Sequence, residues 1–488
     1  NGVCMQFSLK ETRLGLRNSV TRIPFRYGKA CLTACPQAVL SATIETEGRL
    51  VTGYSGDCLP PGWFDKTPGK DFESQIDDML TVIDLAEKTF LEEAASPTKL
   101  FPAWLMAGEA VHMRAAEWEL GSLLASFGVS MIERAIIDAM ARAANQSFAS
   151  AVRQNIYAIA AGDVHQELSG VDPADWLPPA PLQSVFVRHT VGLGDPLTSG
   201  DIPADERLDD GFPQALEEYV ERTGTQFFKI KVANDLDHDQ FRLVTIAQIV
   251  ERHRGDDYRI TLDGNEQYTS AAEFDALIDA LESTAELATL WKNTIAIEQP
   301  LDRGIALESK QTGGIRELAK RKPVIIDESD GQLESYRQAI ELGYRGVSSK
   351  NCKGTIKSLL NAGLTWFHND RGEGDDFLMT GEDLCSVGII PVQADLCLAA
   401  TLGISHVERN GHHYHPGLTY LPESQRHAAV REHPDFYAEQ HGRIAPSVRN
   451  GCFEIESLHC PGFGFAVEPD FDSMEPPETW EFESLQMI

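Results

Sequence analysis

Five short stretches hold charged residues whose types suit proton transfer and metal binding. They are Lys229 and Lys231 in FFKIKV, Asp263 in ITLDGNEQY, Glu298 in TIAIEQPL, Asp327 in PVIIDES and Lys350 in GVSSKNCKG. Three carboxylates gathered round one point repel one another and raise their pKa values, so the set calls for a counter-ion. Their hard oxygens suit octahedral Mg²⁺, with water or substrate completing the shell. Lys229 and Lys231 lie two apart on a strand and so share a face. Two ammonium groups in a partly desolvated mouth lower each other's pKa, toward the range of a general base. With Lys350 on the far side, a lysine flanks each side of the cation, as removing a proton from one face of a carbon and returning it to the other requires. Asn265 and Glu328 adjoin two of the ligands and are placed to orient them.

Each of these residues follows a short run rich in β-branched or aromatic residues and precedes a polar or Gly-containing turn that leads into a helix-like segment, the pattern of repeated βα units. The intervals from Lys231 through Asp263, Glu298 and Asp327 to Lys350 are 32, 35, 29 and 23 residues. One unit of a parallel α/β barrel takes roughly 30 residues, and the C-terminal strand ends of such a barrel converge on one mouth. The spacing predicts a first barrel strand over 184–191, a second carrying Lys229 and Lys231, a sixth carrying Lys350, a seventh at 377–380 and an eighth at 404–408. The Gly, Pro and Asp-rich stretch at 192–212 is long enough to lie over the mouth. The weakly charged stretch 386–405 contains Pro391, Gln393 and Asp395. It reads as a barrel helix packed on both sides and not as a membrane span.

Residues 1–180 lack this alternation. AVLSATIET at 38–46 and LVTGY at 50–54, separated by EGR, predict an antiparallel hairpin. The stretch 72–94 predicts a helix with Ile76, Met79, Leu80, Ile83, Leu85 and Phe90 on one face, and further helices are expected over 102–127 and 130–144. This half reads as an α+β domain, bounded by the Pro-rich stretch 172–182. The barrel is expected over 181–435, and 436–488 is expected to return to the first domain, because a closed barrel cannot accept the β-like residues 450–470. With 488 residues, 42% of them hydrophobic, the chain can build two substantial domains. A net charge of −32 disfavours nucleic acid and anionic membranes as partners. Nine scattered cysteines without a Cys-x-x-Cys pair fit a reducing, cytoplasmic setting. No basic segment followed by an apolar core marks a signal peptide, while a start at Asn1 leaves room for a segment upstream.

With KIK at 229–231, LDGN at 262–265, IEQP at 297–300, IIDES at 325–329 and SSK at 348–350, the chain resembles the enolase superfamily. The likeness is to its mandelate racemase and muconate lactonizing enzyme branch, and within it to the muconate lactonizing enzyme-like subgroup. Each motif is weak alone, but together they are specific. The resemblance implies a modified (β/α)₇β barrel, with an N-terminal α+β capping domain completed by the C-terminal segment. It implies Mg²⁺ on Asp263, Glu298 and Asp327, a small carboxylate substrate on that metal, and a homo-oligomer. Lys231 and Lys350 would be the acid/base pair and Lys229 would help neutralise the substrate carboxylate, in line with enzymes that use a lysine base and Mg²⁺ to hold an enediolate. Racemisation or epimerisation next to the carboxylate is the first expectation. A lyase (dehydratase) or cycloisomerase acting through the same enolate is the second, and a non-catalytic binding protein on the same barrel the third. Substrate contacts are expected from the cap loops at 22–28, with Arg26 and Tyr27, and 54–66, with Trp63. On the barrel side they are expected from HVERNGHHYHPGL, with His412, His413 and His415, and from Glu382 and Asp383.

Overall fold

The structure, a computed structural model, describes residues 4–27, 30–371 and 377–486. Three strands, β1 (Ser8–Tyr27), β2 (Ala30–Thr46) and β3 (Arg49–Cys58), form an antiparallel sheet in that order. Glu47 and Gly48 join β2 to β3 with φ of 49° and 72°. Two successive positive φ angles are what a tight two-residue hairpin turn requires. Ala38, Leu40, Ala42 and Ile44 alternate along β2 and are buried, so one face of the sheet is apolar and must be covered. Helices Phe72–Glu93, Leu100–Glu117 and Ser122–Ala143 lie in this half of the chain, and the third packs against β2 and β3.

The first helix buries Ile76, Met79, Ile83 and Phe90, together with Val82 and Ala86, and leaves Leu80 and Leu85 half-buried. The expected break near residue 128 is not there. The chain breaks at Trp118–Gly121, and one helix then runs through Gly128. That glycine serves contact and not chain reversal: a Cβ on it would stand 2.3 Å from the Val82 carbonyl oxygen of the neighbouring helix.

Eight parallel strands follow: β4 (Ser184–Val191), β5 (Phe227–Lys231), β6 (Arg259–Asp263), β7 (Thr294–Glu298), β8 (Val324–Ile326), β9 (Gly346–Ser349), β10 (Leu378–Gly381) and β11 (His406–Glu408). They pair in sequence, and β11 pairs with β4 to close the barrel. Lys231 is level with Asp263, and Asp263 with Glu298, in one row across three strands. The helix Ile390–Leu402 is buried on nearly every side, and no described helix is long and apolar enough to cross a membrane.

After the barrel come a small hairpin, β12 (Tyr437–Gln440) and β13 (Arg443–Pro446), and β14 (Cys452–Glu454). The expectation that residues 450–470 leave the barrel needs correction, because β14 pairs antiparallel with Ser184–Phe186 of β4. β4 is eight residues long against three to five for the other barrel strands, so its first residues extend past their neighbours and offer free backbone groups. Beyond β14 the chain runs onto the first domain, where the Gly462 N–H donates to Gln146 O at 2.9 Å and the rings of Phe463 and Phe148 lie 4.2 Å apart.

The helix Ser122–Ala143 also spans the seam to the barrel. Ser126 Oγ donates to Gly331 O at 2.9 Å and Ser130 Oγ to Cys352 O at 3.2 Å, while the Glu133 carboxylate accepts from the Thr355 and Ile356 N–H groups. These contacts hold the loops that follow Asp327 and Lys350. Replacing Gly128 by Ala is expected to lower unfolding free energy by about 1–3 kcal/mol through overpacking. Gly313→Ala, whose Cβ would meet nothing within 4 Å, should be neutral or stabilising, and urea unfolding of both variants checks the pair.

Candidate active site

The barrel lumen is organised around Lys229, which is buried. Its Nζ lies 2.7 Å from Glu298 Oε1, 2.9 Å from Glu382 Oε2, 3.2 Å from Asp263 Oδ2 and 3.4 Å from Glu408 Oε2. Burial alone would lower its pKa, but the four carboxylates outweigh it and hold Lys229 well above the usual lysine range. The expectation that Lys229 and Lys231 depress one another therefore fails for Lys229, which is a permanent cation. Below it, Arg188 pairs with Glu382, and Thr190 Oγ1 donates to Glu408 Oε1 at 2.6 Å.

Lys231, one row higher, donates to Asn265 Oδ1 at 2.8 Å and lies 3.8 Å from Asp263 Oδ2. The Asn265 N–H in turn donates to Asp263 Oδ1 at 2.8 Å. Lys350 stands four strands away, hence across the eight-stranded ring. Its Nζ is 2.7 Å from Asp327 Oδ2 and 4.3 Å from the centroid of the Trp63 ring. Against burial, Asp327 raises the Lys350 pKa, so this amine is held as ammonium. Lys353 adds a second cation to Asp327 at 3.3 Å and takes hold of Ser348 Oγ at 2.8 Å.

Among the described residues no three acidic, imidazole or thiol side chains already surround one point as a finished metal cage. Lys229 draws Asp263 and Glu298 to itself and Lys350 draws Asp327. The donor set nonetheless fits a hard divalent cation. Glu298 Oε2 is buried without a hydrogen-bond partner. Burial, then Glu382, pushes the Glu298 pKa well up, and burial with Glu266 and Asp327 raises Glu328 to about 7. The lysines hold Asp327 and Glu408 well down at the same time, so the place for added positive charge is at the unpartnered Glu298 oxygen. Asp263, Glu298 and Asp327 are the residues that would hold the ion.

The roof comes from the first domain. Phe25, Pro60, Gly62 and Trp63 close over the lysines. Arg303, in the loop after β7, clasps this segment by donating to Trp63 O at 2.8 Å and Phe64 O at 3.0 Å, and its guanidinium pairs with Glu266, which also pairs with Lys66. The cavity beneath it measures about 40 Å³, room for only a few water molecules.

Other sequence candidates lie elsewhere. Arg26 is exposed and borders a separate groove with Leu193 and Phe241, at the end of β1 and not in a loop. The side chain of Tyr27 lies outside the described residues. His412 and His413 are not brought to the cavity. The chain turns into a helical turn, Gly411–Tyr414, whose imidazoles pack in an aromatic nest. His413 meets the Tyr219 hydroxyl and stands edge-on to His189, with 5.0 Å between ring centroids, and the His412 ring is 6.3 Å from Phe453. His415 Nε2 contacts Cys385 Sγ at 3.4 Å. Of Glu382 and Asp383, the first is a partner of Lys229, and the second borders the cavity. Arg188, Lys353 and Glu408 were missed as site residues. Glu408 ends the eighth strand as Asp263 ends the third, a signal the same spacing argument contains.

No protein-family model matches the chain, and no curated protein matches it by sequence. Solved structures superpose over nearly its whole length. A dipeptide epimerase from Enterococcus faecalis V583, solved with Mg and the dipeptide L-Leu-L-Tyr, gives a TM-score of 0.57 at 14% identity, covering 94% of this chain and 99% of its own. 2-Chloromuconate cycloisomerase from Rhodococcus opacus 1CP gives 0.56 at 13% identity, covering 94% and 97%. An enolase-superfamily protein from Enterococcus faecalis V583 gives 0.54 at 15% identity, covering 94% of each. The fold is thus that of the enolase superfamily, and identities this low speak to the fold alone.

Burial pushes His412 down to about 3 and His415 to about 4, and His413 well below the ordinary range. These imidazoles stay neutral in the folded protein where an unfolded histidine, with pKa near about 6.5, takes up a proton. At these three positions the unfolded chain binds more protons between about pH 6.5 and 4, so the stability they contribute is lost as pH drops through that window. Asp57, Glu133 and Glu328, whose burial raises each to about 7, contribute in the opposite sense. Urea midpoints of wild type and variants measured across the window separate the histidine part. His412→Phe should make the slope shallower by up to one proton, about 1.4 kcal/mol per pH unit.

Proposed function

We propose that this protein is a Mg²⁺-dependent enzyme of the enolase superfamily, of the muconate lactonizing enzyme-like subgroup, that removes the proton next to a carboxylate and returns it as a racemase or epimerase. The observation that carries the reading is the position of Lys231 and Lys350 on opposed strands of one closed barrel, with Asp263, Glu298 and Asp327 on the strands between. When bound, Mg²⁺ supplies the positive charge that makes a proton beside a carboxylate acidic enough for an amine to take. Lys229, fixed as ammonium, adds to that charge on the same side. For one enantiomer Lys231 accepts the proton from Cα and Lys350, as its ammonium, donates to the opposite face of the enolate. For the other enantiomer the roles exchange, since Asp327 releases Lys350 once it turns to the ion. Asn265 aims Lys231, and Trp63 faces Lys350. The roof from the first domain limits water at the amines during the transfer.

Elimination is the second reading. It is favoured by the same two opposed amines, because an ammonium across the site can also protonate a departing group.

Incubation with Mg²⁺ and a library of carboxylates in D₂O, followed by NMR and mass spectrometry, tests the proposal. Deuterium at Cα with inversion is expected, loss of a leaving group selects the second reading, and absence of exchange throughout contradicts both. Lys231→Ala and Lys350→Ala should each lower turnover by roughly 10²–10⁴-fold, the usual worth of a general acid or base, with Mg²⁺ affinity by calorimetry retained. Wild-type rates in both variants would refute the two-lysine assignment. Asp263→Asn should instead weaken Mg²⁺ binding by more than about tenfold, more than loss of an outer hydrogen bond costs, and unchanged affinity removes Asp263 from the ligand set.

A further inference from the structure

The cavity is lined by two kinds of residue. One is Lys229, Lys231, Lys350 and the acids around them, and the other is the less polar set Phe25, Pro60, Trp63, Leu384 and Cys385, taken together as its far half. The two sets meet where the Trp63 ring faces Lys350 at 4.3 Å. The charged groups that border this far half are already committed within the protein. Asp383 accepts from the N–H groups of Ser386 at 2.7 Å, Asn410 at 2.6 Å and Gly411 at 3.2 Å, and faces Arg409 at 3.4 Å. Lys66, the only cation on the roof among the described lining residues, pairs with Glu266. Cys385 is turned to His415. Asn410 donates through Nδ2 to Glu408 at 3.2 Å, and its Oδ1 is a buried acceptor with no partner.

A second carboxylate entering this half would lose its hydration, meet Asp383 and Glu408, and find no uncommitted cation. A polyhydroxylated chain would bring several hydroxyl groups to two open acceptors, Asn410 Oδ1 and Glu328 Oε2, and each hydroxyl left unpaired in a buried site is costly. An apolar or aromatic group gains instead from the walls it touches.

Resting on the proton-transfer reading above, we infer that the substrate is a monocarboxylate whose remaining substituent is uncharged and mainly apolar or aromatic, with at most one hydrogen-bond donor directed at Asn410 Oδ1. Leu384 and Cys385 on the barrel and Phe25 and Trp63 on the cap set this preference.

A matched pair of probes isolates the second charge. N-acetylphenylalanine and N-succinylphenylalanine carry the same α-proton and ring and differ in a distal carboxylate. Mandelate and gluconate extend the comparison to a small aromatic acid and a polyhydroxy acid. With Mg²⁺-loaded protein in D₂O, mandelate or N-acetylphenylalanine is expected to exchange at least tenfold faster than N-succinylphenylalanine and gluconate, and calorimetry should rank binding in the same order. Faster exchange of N-succinylphenylalanine or gluconate overturns the inference and leaves the proton-transfer reading standing. Binding in the expected order without exchange removes that reading and supports the inference. Absence of binding by both apolar acids overturns the inference. Leu384→Arg, which places a cation in the far half, should shift the preference toward N-succinylphenylalanine, and an unchanged preference in a folded variant counts against these walls as its source.

Discussion

The ammonium of Lys229 is the point on which the barrel interior depends. Four carboxylates from four strands converge on one nitrogen within 2.7–3.4 Å, in a lumen that a parallel barrel ordinarily fills with branched apolar side chains. Buried charges of this kind are tolerable only while paired, and removal of one partner typically costs 3–5 kcal/mol because the others are left uncompensated. Arg188 beneath Glu382 and Thr190 beneath Glu408 belong to the same balance. The balance is uneven: burial and then Glu382 push Glu298 up, while the lysines hold Asp327 and Glu408 well down. Glu298 Oε2, buried without a partner beside Asp263 and Asp327, is the physical argument for a cation above Lys229.

The two parts of the chain divide the work. Strand ends of the barrel fix the acids and amines, because neighbouring strands in register leave little freedom to residues at the same level. The first domain supplies an apolar lid and, through the helix Ser122–Ala143, the contacts that hold the loops after Asp327 and Lys350. Trp63 joins both roles, since its ring closes the cavity and faces the Lys350 ammonium. Arg303 ties that lid to the barrel through two backbone carbonyls.

The site was legible where the signal is local. A charged residue that ends a β-branched run, repeated every 23 to 35 residues, is a pattern of chain positions and needs no tertiary information. β1 was not legible, because its register shifts between Leu9 and Glu11 and again between Val20 and Phe25 interrupt the alternation that marks a strand. Gly128 read as a break because its reason for being glycine, the Val82 carbonyl, belongs to another helix. The histidines after β11 were misplaced for a related reason: at a helical turn, sequence does not say which side faces inward. The protonation of Lys229 rests first on Asp263 and Glu298, which the strand-end pattern marks, and then on Glu382 and Glu408, which arrive 153 and 179 residues later.

The central claim is that Asp263, Glu298 and Asp327 converge on a divalent cation between two opposed lysines. Crystals soaked in Mn²⁺, a Mg²⁺ surrogate with a usable anomalous signal, test it directly. The account predicts an anomalous peak bridging the three carboxylates, with Lys350 Nζ withdrawn from Asp327 and Lys231 and Lys350 on opposite sides of the ion. No peak there, with Lys229 and Lys350 still bound to the carboxylates at saturating Mn²⁺, would contradict it.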